Sequence, residues 1–500
     1  MPFSRPLLTT ALALVAALSL LAGAAQARPT QKRPNVVVIM TDDQDFRSMG
    51  AMPKTQRLIA RRGTAFDTAI VSFPLCCPSR ATFYSGQYAH NHGVLWNTPP
   101  QGGYAKFNGA EALPVWVQRA GYRTIHIGKY LNEYGERDPH EVPPGWEDWH
   151  GGVDPSTYDY YGYTLNHNGR LRTYSRRAEH YSTDVYASLA ERAIRRARKT
   201  RKPFFLNVAP NAPHTVSVAS RARIEGTPAL PPPRYADRFA STAMPRYPNF
   251  DEADVSDKPP FVGAVWPRLT EAQVASLTAH YRGRMGALAG VDDLVERVVR
   301  ALRRNGVYGN TDIIFTSDNG WMLGEHRLSD PLSEDGLASG VKFFPFEGSS
   351  RVPLMAAGPD FPAGRTVTEP VVNADLAPTI ARITGAHATL PQDGVSLTAA
   401  ARRPSLLRGR GVLLEAFENP RAAPPYRSIR TKRYRYDLYA DGQEGLYDLR
   451  ADPWELQSRH ADLRYAIVKA ELARGLAALG TCKGAGCRVR LPALPAPASG

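Results

Sequence analysis

Three short apolar runs have the composition of strands that are buried on both faces, because β-branched and aromatic side chains dominate them. The runs cover residues 35–40, 203–209 and 312–316. Helical periodicity extends over residues 182–197 and 270–304, and Thr270 and Gln273 stand at the spacing of a capping box. Strands that alternate with helices predict an α/β fold, with a sheet between helices on both faces.

Polar residues follow each of these runs. Asp42 and Asp43 come after the first, His214 after the second, and Asp318 and Asn319 after the third. In open α/β sheets, residues just past the carboxyl ends of the strands line the ligand crevice. Three carboxylates and one amide form an all-oxygen set that suits Ca²⁺ or Mg²⁺. The alternative is that these residues are ordinary helix caps or turns.

The pattern changes in the last part of the chain. Residues 427–439 and 445–449 alternate like short strands, and residues 461–479 have the pattern of a terminal helix. We therefore predict a catalytic domain over residues 34–400, a smaller α+β domain over 401–490 and a mobile tail over 491–500. Residues 216–268 are rich in proline and arginine, and we expect an irregular excursion that shapes the substrate mouth.

The N-terminal segment has the pattern of a signal peptide. Arg5 precedes an apolar stretch over residues 7–21, and Ala25-Gln26-Ala27 matches the small-x-small cleavage pattern. We expect removal of residues 1–27 and a secreted or extracytoplasmic protein. The alternative is a membrane anchor, but no later stretch approaches the ~20 apolar residues that a membrane span needs, so stable membrane insertion is not expected.

The chain carries a formal net charge of +15. That surplus favours polyanions, although a solvated basic surface that aids solubility would give the same value. No zinc-finger or RNA-binding motif supports a nucleic-acid partner.

The four cysteines fall into two pairs. Cys482 and Cys487 bracket a glycine-rich stretch and have the spacing of a small disulfide loop in an oxidising compartment. Cys76 and Cys77 are adjacent, and vicinal disulfides are strained and rare. At least one of these two cysteines therefore has another fate.

The run Cys76-Cys77-Pro78-Ser79-Arg80 resembles the Cys-x-Pro-x-Arg motif of the sulfatase family, which the maturation enzyme reads when it oxidises the cysteine to formylglycine. Further segments resemble the family in the family's order, from residue 34 to about residue 460. They are 86–93 (GQYAHNHG), 128–130 (GKY), 212–214 (APH), 316–320 (TSDNG), Lys342 before 347–348 (EG), 351–353 (RVP), 375–379 (DLAPT) and 446–449 (LYDL) with Asp452-Pro453.

This resemblance implies a fold and a set of site residues. The fold is that of alkaline phosphatases, with a large mixed sheet between helices and a smaller C-terminal domain built on an antiparallel sheet. One Ca²⁺, rather than Mg²⁺, is expected together with formylglycine derived from Cys76. The implied ligands are Asp42, Asp43, Asp318, Asn319 and the modified Cys76; the implied sulfate-binding cations are Arg80, Lys129 and Lys342; and the implied proton donor is His214, with Lys342 as a second candidate.

One position departs from the family pattern. Many sulfatases have a histidine two residues after the lysine of the Gly-Lys-aromatic motif, and Leu131 stands there. The base that releases sulfate is therefore open between His90 and His92, and His92 is also a candidate for substrate binding. Residues 128–134 (GKYLNEY) and 163–169 (YTLNHNG) resemble the branch of N-acetylglucosamine-6-sulfatases and extracellular endosulfatases, in which Cys77 remains a buried thiol.

The resemblance implies hydrolysis of the sulfate esters of a sulfated sugar, a glycosaminoglycan or an aryl sulfate, after maturation by a formylglycine-generating enzyme. One alternative is a formylglycine-dependent phosphodiesterase or phosphonate monoester hydrolase of the same superfamily. Another is a non-catalytic relative that binds sulfated glycans, although the complete set of metal and cationic residues argues against it.

Overall fold

The strands form two main β-sheets of different size and one short two-stranded pairing. The computed structural model describes residues 33–200, 202–216, 227–330, 338–417 and 424–495. Within these residues the strands are β1 (Asn35–Thr41), β2 (Thr64–Phe66), β3 (Ala69–Ile70), β4 (Arg123–Gly128), β5 (Asp148–Gly152), β6 (Thr164–His167), β7 (Arg170–Thr173), β8 (Phe204–Ala209), β9 (Thr311–Ser317), β10 (Leu354–Ala357), β11 (Arg365–Val367), β12 (Val371–Val372), β13 (Val412–Ala416), β14 (Tyr426–Arg430), β15 (Tyr434–Tyr439) and β16 (Glu444–Asp448).

The helices vary from single turns to one very long element. They are α1 (Pro53–Thr55), α2 (Cys76–Ser85), α3 (Ala89–His92), α4 (Leu113–Arg119), α5 (Ser182–Thr200), α6 (Pro260–Val265), α7 (Glu271–Arg304), α8 (Glu347–Ser350), α9 (Leu376–Thr384), α10 (Leu397–Arg402) and α11 (Ala466–Leu479). The capping box predicted at Thr270 and Gln273 is confirmed at the start of α7.

The large sheet has ten strands in the order β11-β2-β10-β9-β1-β8-β4-β5-β6-β7. Its central strands β9, β1, β8 and β4 are parallel, whereas β10, β6 and β7 pair antiparallel with their neighbours. The three predicted apolar runs are confirmed as β1, β8 and β9, and every residue of these strands is buried. The predicted large mixed sheet is therefore the framework of the fold.

Helices cover both faces of this sheet, which explains why its central strands are apolar throughout. On one face, Val37 and Ile39 of β1 pack in a core with side chains from α5 and α7. On the other face, Val36 and Val38 pack in a second core with side chains from α2, α4, α9 and α10. Alternate residues of one strand thus serve two different cores.

The second sheet is the antiparallel meander β13-β14-β15-β16, and α11 packs against it. It confirms the expected C-terminal antiparallel sheet, and residues from Pro34 onward form one compact unit. The domain division at residue 400 remains a prediction. Leu491, the first residue of the predicted tail, donates its backbone N–H to the Gly409 carbonyl. The tail residues 496–500 and the predicted signal peptide 1–27 lie outside the described residues.

No helix in the described part of the chain combines the length and apolarity of a membrane span.

Candidate active site

The sheet topology brings the predicted strand-end residues together. β1 and β9 are parallel neighbours in which Thr41 lies opposite Ser317. The next residues, Asp42-Asp43 on one strand and Asp318-Asn319 on the other, therefore leave the sheet side by side. All four side chains are at most 1% exposed. Buried carboxylates are costly unless cations or hydrogen-bond donors compensate them.

Each of the three carboxylates has a Lys or Arg partner within 3 Å. The pairs are Lys129 Nζ to Asp42 Oδ2 at 2.6 Å, Lys342 Nζ to Asp43 Oδ1 at 2.5 Å, and Arg80 Nε to Asp318 Oδ2 at 2.8 Å. Burial alone would raise the pKa of Asp42 and Asp43, but the neighbouring lysines lower both, that of Asp42 to about 2. The site thus combines three negative and three positive side chains.

Cys76 is the first residue of α2 and lies in the middle of this charge cluster. Its Sγ is 2.8 Å from Lys342 Nζ and 3.6 Å from Asp42 Oδ1. Burial raises the pKa of the thiol, and Lys129 and Lys342 offset this effect only in part, so the pKa is about 12. The unmodified thiol is therefore neutral near pH 7 and a weak nucleophile. The N-terminus of α2 favours negative charge at this position.

Three buried atoms of the cluster have no hydrogen-bond partner among the described residues. Two are acceptors, Asp43 Oδ2 and Asn319 Oδ1, and one is a donor, Arg80 Nη2. An unsatisfied buried polar atom calls for an explanation, such as a bound ion, a ligand or a water molecule. The two acceptors are a carboxylate oxygen and an amide oxygen, which are ligands that a hard cation such as Ca²⁺ prefers. The donor fits an anion.

The ligand geometry differs between the predicted metal residues. One ligand atom each from Asp42, Asp43, Cys76 and His214 lies within 4.8 Å of the others. Asp318 is more fully engaged, because its Oδ1 accepts the backbone N–H groups of Asp43 and Asn319 and its Oδ2 accepts from Arg80. The free acceptor oxygens therefore come from Asp43 and Asn319.

His214 faces the same cluster from the segment after β8. Its Nδ1 lies 2.7 Å from the Thr215 carbonyl, so Nδ1 carries a proton and Nε2 points to Asp43 Oδ2 at 3.5 Å. Burial lowers the pKa of His214, although Asp43 and Asp42 oppose this effect. The ring is thus oriented with a proton-accepting nitrogen at the site.

His90 and His92 do not line the active-site cleft. His92 Nε2 lies 3.0 Å from Thr82 Oγ1, and its Nδ1 accepts the Val94 backbone N–H. Burial lowers the pKa of His92 to about 3, so the ring stays neutral within this packing. The ring of His90 contacts Glu415 and the Cys482 carbonyl. Neither histidine is among the residues that line the cleft containing Cys76.

Four residues of the site were missing from the sequence prediction: Arg284, Tyr158, Asn132 and Trp321. Arg284 of α7 donates to the backbone carbonyls of Asp43 and Pro213, and so supports the two segments that carry Asp43 and His214. The sequence contains a signal for this residue, because the helical spacing places Arg284 on the same buried face as Leu277, Leu288 and Val291. The Tyr158 ring lies 4.6 Å from Lys129 Nζ and 4.8 Å from the His214 ring.

The cluster opens into a cleft of about 370 Å³ with Cys76, His214 and Lys342 at its base. Its lining includes the aromatic side chains Trp96, Trp266, Trp321, Phe343 and Phe344. Asn132, whose Nδ2 donates to Tyr158 Oη, also lines the cleft. Val216 and Trp266 come from the segment 216–268 that was expected to shape the mouth. Such a cleft suits a ring-shaped substrate that stacks on aromatic side chains.

Cys482 and Cys487 are joined by a disulfide bond with a Cα–Cα distance of 4.9 Å. Cys77 is a free, buried thiol. Its side chain belongs to the core between the large sheet and α2.

Two family models match the chain. The model described as "Sulfatase" matches residues 34–386, and the one described as "N-sulphoglucosamine sulphohydrolase, C-terminal" matches residues 341–481. The first of these spans the ten-stranded sheet and every residue of the charge cluster.

Similar proteins carry related names. An arylsulfatase of Volvox carteri is 33% identical over 95% of this chain and 79% of its own length. The N-acetylglucosamine-6-sulfatase of Homo sapiens is 34% identical over 77% of this chain and 68% of its own length. A putative extracellular sulfatase Sulf-1 homolog of Caenorhabditis elegans is 35% identical over 73% of this chain, which spans about half (48%) of that protein.

Solved structures share the fold. BT4656 in complex with its substrate D-glucosamine-2-N,6-O-disulfate matches with a TM-score of 0.73 and 23% identity, over 89% of this chain and 97% of that one. The phosphonate monoester hydrolase of Agrobacterium radiobacter matches with a TM-score of 0.68 and 23% identity, over 90% and 95% of the two chains.

Proposed function

Because the chain belongs to the sulfatase family of sulfuric ester hydrolases, we propose that it removes sulfate from sulfated sugars or aryl sulfates through a formylglycine derived from Cys76. The observation that carries this proposal is the set of unpartnered atoms around Cys76. Asp43 Oδ2 and Asn319 Oδ1 can accept a cation, and Arg80 Nη2 can donate to an anion. A metal-assisted sulfatase needs both partners beside its nucleophile.

Ca²⁺ would be held by Asp42, Asp43, Asp318 and Asn319 together with the modified residue 76, and it would supply positive charge to the sulfate oxygens. Arg80, Lys129 and Lys342 add three fixed positive charges around the same position. Burial alone would lower the pKa of Lys342, but Asp43, Cys76 and Asp42 together raise it, so this side chain stays cationic.

The nucleophile follows from the chemistry of the modified side chain. Cys76 Sγ stands in for the oxygens of formylglycine, whose hydrated aldehyde carries two hydroxyl groups on one carbon. One hydroxyl would lose its proton to Asp318 as its oxygen bonds to sulfur, and the bond between sulfur and the substrate alcohol would break. His214, once it has taken up a proton on the Nε2 that points into the site, would give this proton to the departing alcohol oxygen.

The second hydroxyl then releases sulfate. It would lose its proton to His214, the bond from carbon to the sulfate oxygen would break, and the aldehyde would form again before water hydrates it. His214 has just lost a proton, and its ligand nitrogen lies within 4.8 Å of Cys76 Sγ. We assign the release step to His214, because His90 and His92 are held away from the cleft by other contacts.

The aromatic cleft and the relatives support a sugar or aryl substrate. A ring can stack on Trp96, Trp266 or Trp321 while its sulfate reaches Cys76. Related proteins are named N-acetylglucosamine-6-sulfatase and arylsulfatase, and BT4656 was solved with a disulfated glucosamine. We therefore place a sulfated amino sugar first among natural substrates, with aryl sulfates as model substrates.

We also propose that the protein is secreted and that a formylglycine-generating enzyme matures it. The Cys482–Cys487 disulfide suits an oxidising compartment, and one relative is named an extracellular sulfatase. The predicted signal peptide and the Cys76–Arg80 motif agree with this route.

A comparison of sulfate, phosphate and phosphonate esters of p-nitrophenol tests the proposed reaction. The mature protein should hydrolyse p-nitrophenyl sulfate faster than a p-nitrophenyl phosphodiester or phosphonate, and Cys76→Ala should lose sulfate hydrolysis. A preference for the diester or phosphonate would favour the phosphonate monoester hydrolases that share the fold. If the folded, formylglycine-containing protein hydrolysed none of these esters, the alternative of a non-catalytic glycan-binding protein would replace the proposed hydrolase.

A further inference from the structure

A second groove, of about 340 Å³, lies between the β6–β7 hairpin and α5 and shares no lining residue with the active-site cleft. Its floor is formed by Leu189, Ala193 and Tyr174. Four exposed arginines line it: Arg170, Arg172, Arg192 and Arg196.

The arginines are ordered in two short rows. Arg192 and Arg196 are four residues apart on α5 and therefore lie on the same helix face. Arg170 and Arg172 are two residues apart on β7 and therefore lie on the same face of this strand. Both rows line one groove, so it presents paired positive charges along its two sides.

These positive charges are not neutralised by carboxylates of the described residues. Asp148, the acidic residue among the groove's described lining, contacts Arg123 at 3.2 Å and His150 at 3.2 Å. Glu191, beside Arg192 on α5, pairs with Arg297 instead. Burial first, and then the neighbouring side chains of His150, Arg172 and Arg192, lower the pKa of His167 to about 4. The local field is therefore positive.

We propose that this groove binds a segment of a sulfated polysaccharide outside the active-site cleft, as an exosite for long substrates. Regularly spaced sulfates on a chain complement two rows of arginine, whose planar guanidinium groups bind such oxyanions well. Arginine-rich clusters of this kind also bind nucleic acids. Single-stranded nucleic acid would need exposed aromatic rings for base stacking, and Tyr174, the aromatic lining residue, is buried.

The proposal goes beyond the proposed reaction and does not need formylglycine. Cys76→Ala should bind the polysaccharide as well as the wild type does, even though its turnover is lost. A failure of the reaction and a failure of the exosite are therefore separate results.

The test is binding of a size-defined heparin oligosaccharide to a variant in which Arg170, Arg172, Arg192 and Arg196 are all changed to Gln. Each exposed ion pair is worth about a 1.4- to 5-fold change in affinity, so the loss of four should weaken binding roughly 4- to 900-fold at low salt. The dependence of affinity on salt should become less steep. Turnover of p-nitrophenyl sulfate should be unchanged, while KM for a polymeric sulfated substrate should rise.

A matched control loses the same charge elsewhere, through Arg61→Gln, Arg119→Gln, Arg382→Gln and Arg408→Gln, which are exposed positions on other segments. This control should keep most of the affinity. Equal weakening in both variants would overturn the groove as the site, because net charge alone would then explain binding. Tighter binding of a DNA oligonucleotide of equal charge would overturn the choice of ligand.

Discussion

Replacing Asp43 with Asn tests whether the unpartnered oxygens hold Ca²⁺. Asp43 Oδ1 accepts hydrogen bonds from Lys342 at 2.5 Å and Asn319 at 2.6 Å, whereas its Oδ2 has no donor. Asn has almost the same shape as Asp but removes one negative charge and replaces one oxygen with an NH₂ group. The substitution should therefore weaken metal binding without leaving a cavity in the buried site.

The size of the effect follows from binding linkage. At a Ca²⁺ concentration of about 100 Kd, bound metal stabilises the native state by about 2.7 kcal/mol. For the unit Pro34–Gly500, an unfolding entropy of about 2.1 cal/mol/K per residue gives about 1 kcal/mol/K. Ca²⁺ should thus raise the Tm of the wild type by about 3 °C. A hundredfold loss of affinity would leave about 0.4 kcal/mol, which is less than about 1 °C.

The assay is thermal unfolding in EDTA and in excess Ca²⁺ at equal ionic strength. Asp312→Asn is a matched control, because Asp312, which lies in β9, is like Asp43 a buried aspartate with an unpartnered oxygen. It lies near the start of β9, whereas Asp318 follows the end of that strand, so this variant should keep the full Ca²⁺ response. A full response in Asp43→Asn, or no response in the wild type, would refute the metal assignment.

Two further substitutions separate roles among the histidines. His214→Gln should lower kcat about 10²- to 10⁴-fold on a sulfated sugar, whose alcohol needs a proton to leave. In single-turnover measurements of the first step with p-nitrophenyl sulfate, the loss of rate should be much smaller. Equal losses on both substrates would contradict the role of His214 as the acid. Burial alone would lower the pKa of His90, but Glu415, whose Oε2 lies 2.9 Å from His90 Nδ1, raises it. The charged pair therefore stabilises the fold below about pH 6.5, and this stabilisation is lost as the pH rises through the pKa of His90 in the folded state. In denaturant unfolding, His90→Gln should therefore cost about 1–2 kcal/mol at pH 5.5 and less at pH 9, while the exposed His387→Gln should show no such trend; an equal cost at both pH values would contradict this linkage.

The strongest sequence predictions came from strands at the centre of the sheet. β1, β8 and β9 are apolar throughout because helices cover both faces, and this pattern is visible without a structure. Because parallel neighbours end at one edge, the predicted strand-end residues could also be placed together. These two features fixed the position of Asp42, Asp43, Asp318 and Asn319.

Other parts of the sheet have no such signal. β5 contains Asp148, His150 and two glycines, and all four residues of β7 are exposed at the edge of the sheet. Their strand conformation comes from pairing with β4 and β6, which a local pattern does not contain. The positions of His90 and His92 were equally hidden, because their partners Glu415 and Thr82 are set by the tertiary fold.

The most direct test of the central claim is the mass of the peptide that contains residue 76, measured on protein from the natural host. Conversion of cysteine to formylglycine replaces CH₂SH with CHO and lowers the mass by roughly 18 Da, and the modified fraction should rise in proportion to sulfatase activity. An active protein whose peptide carried an unmodified Cys76 thiol would contradict the account.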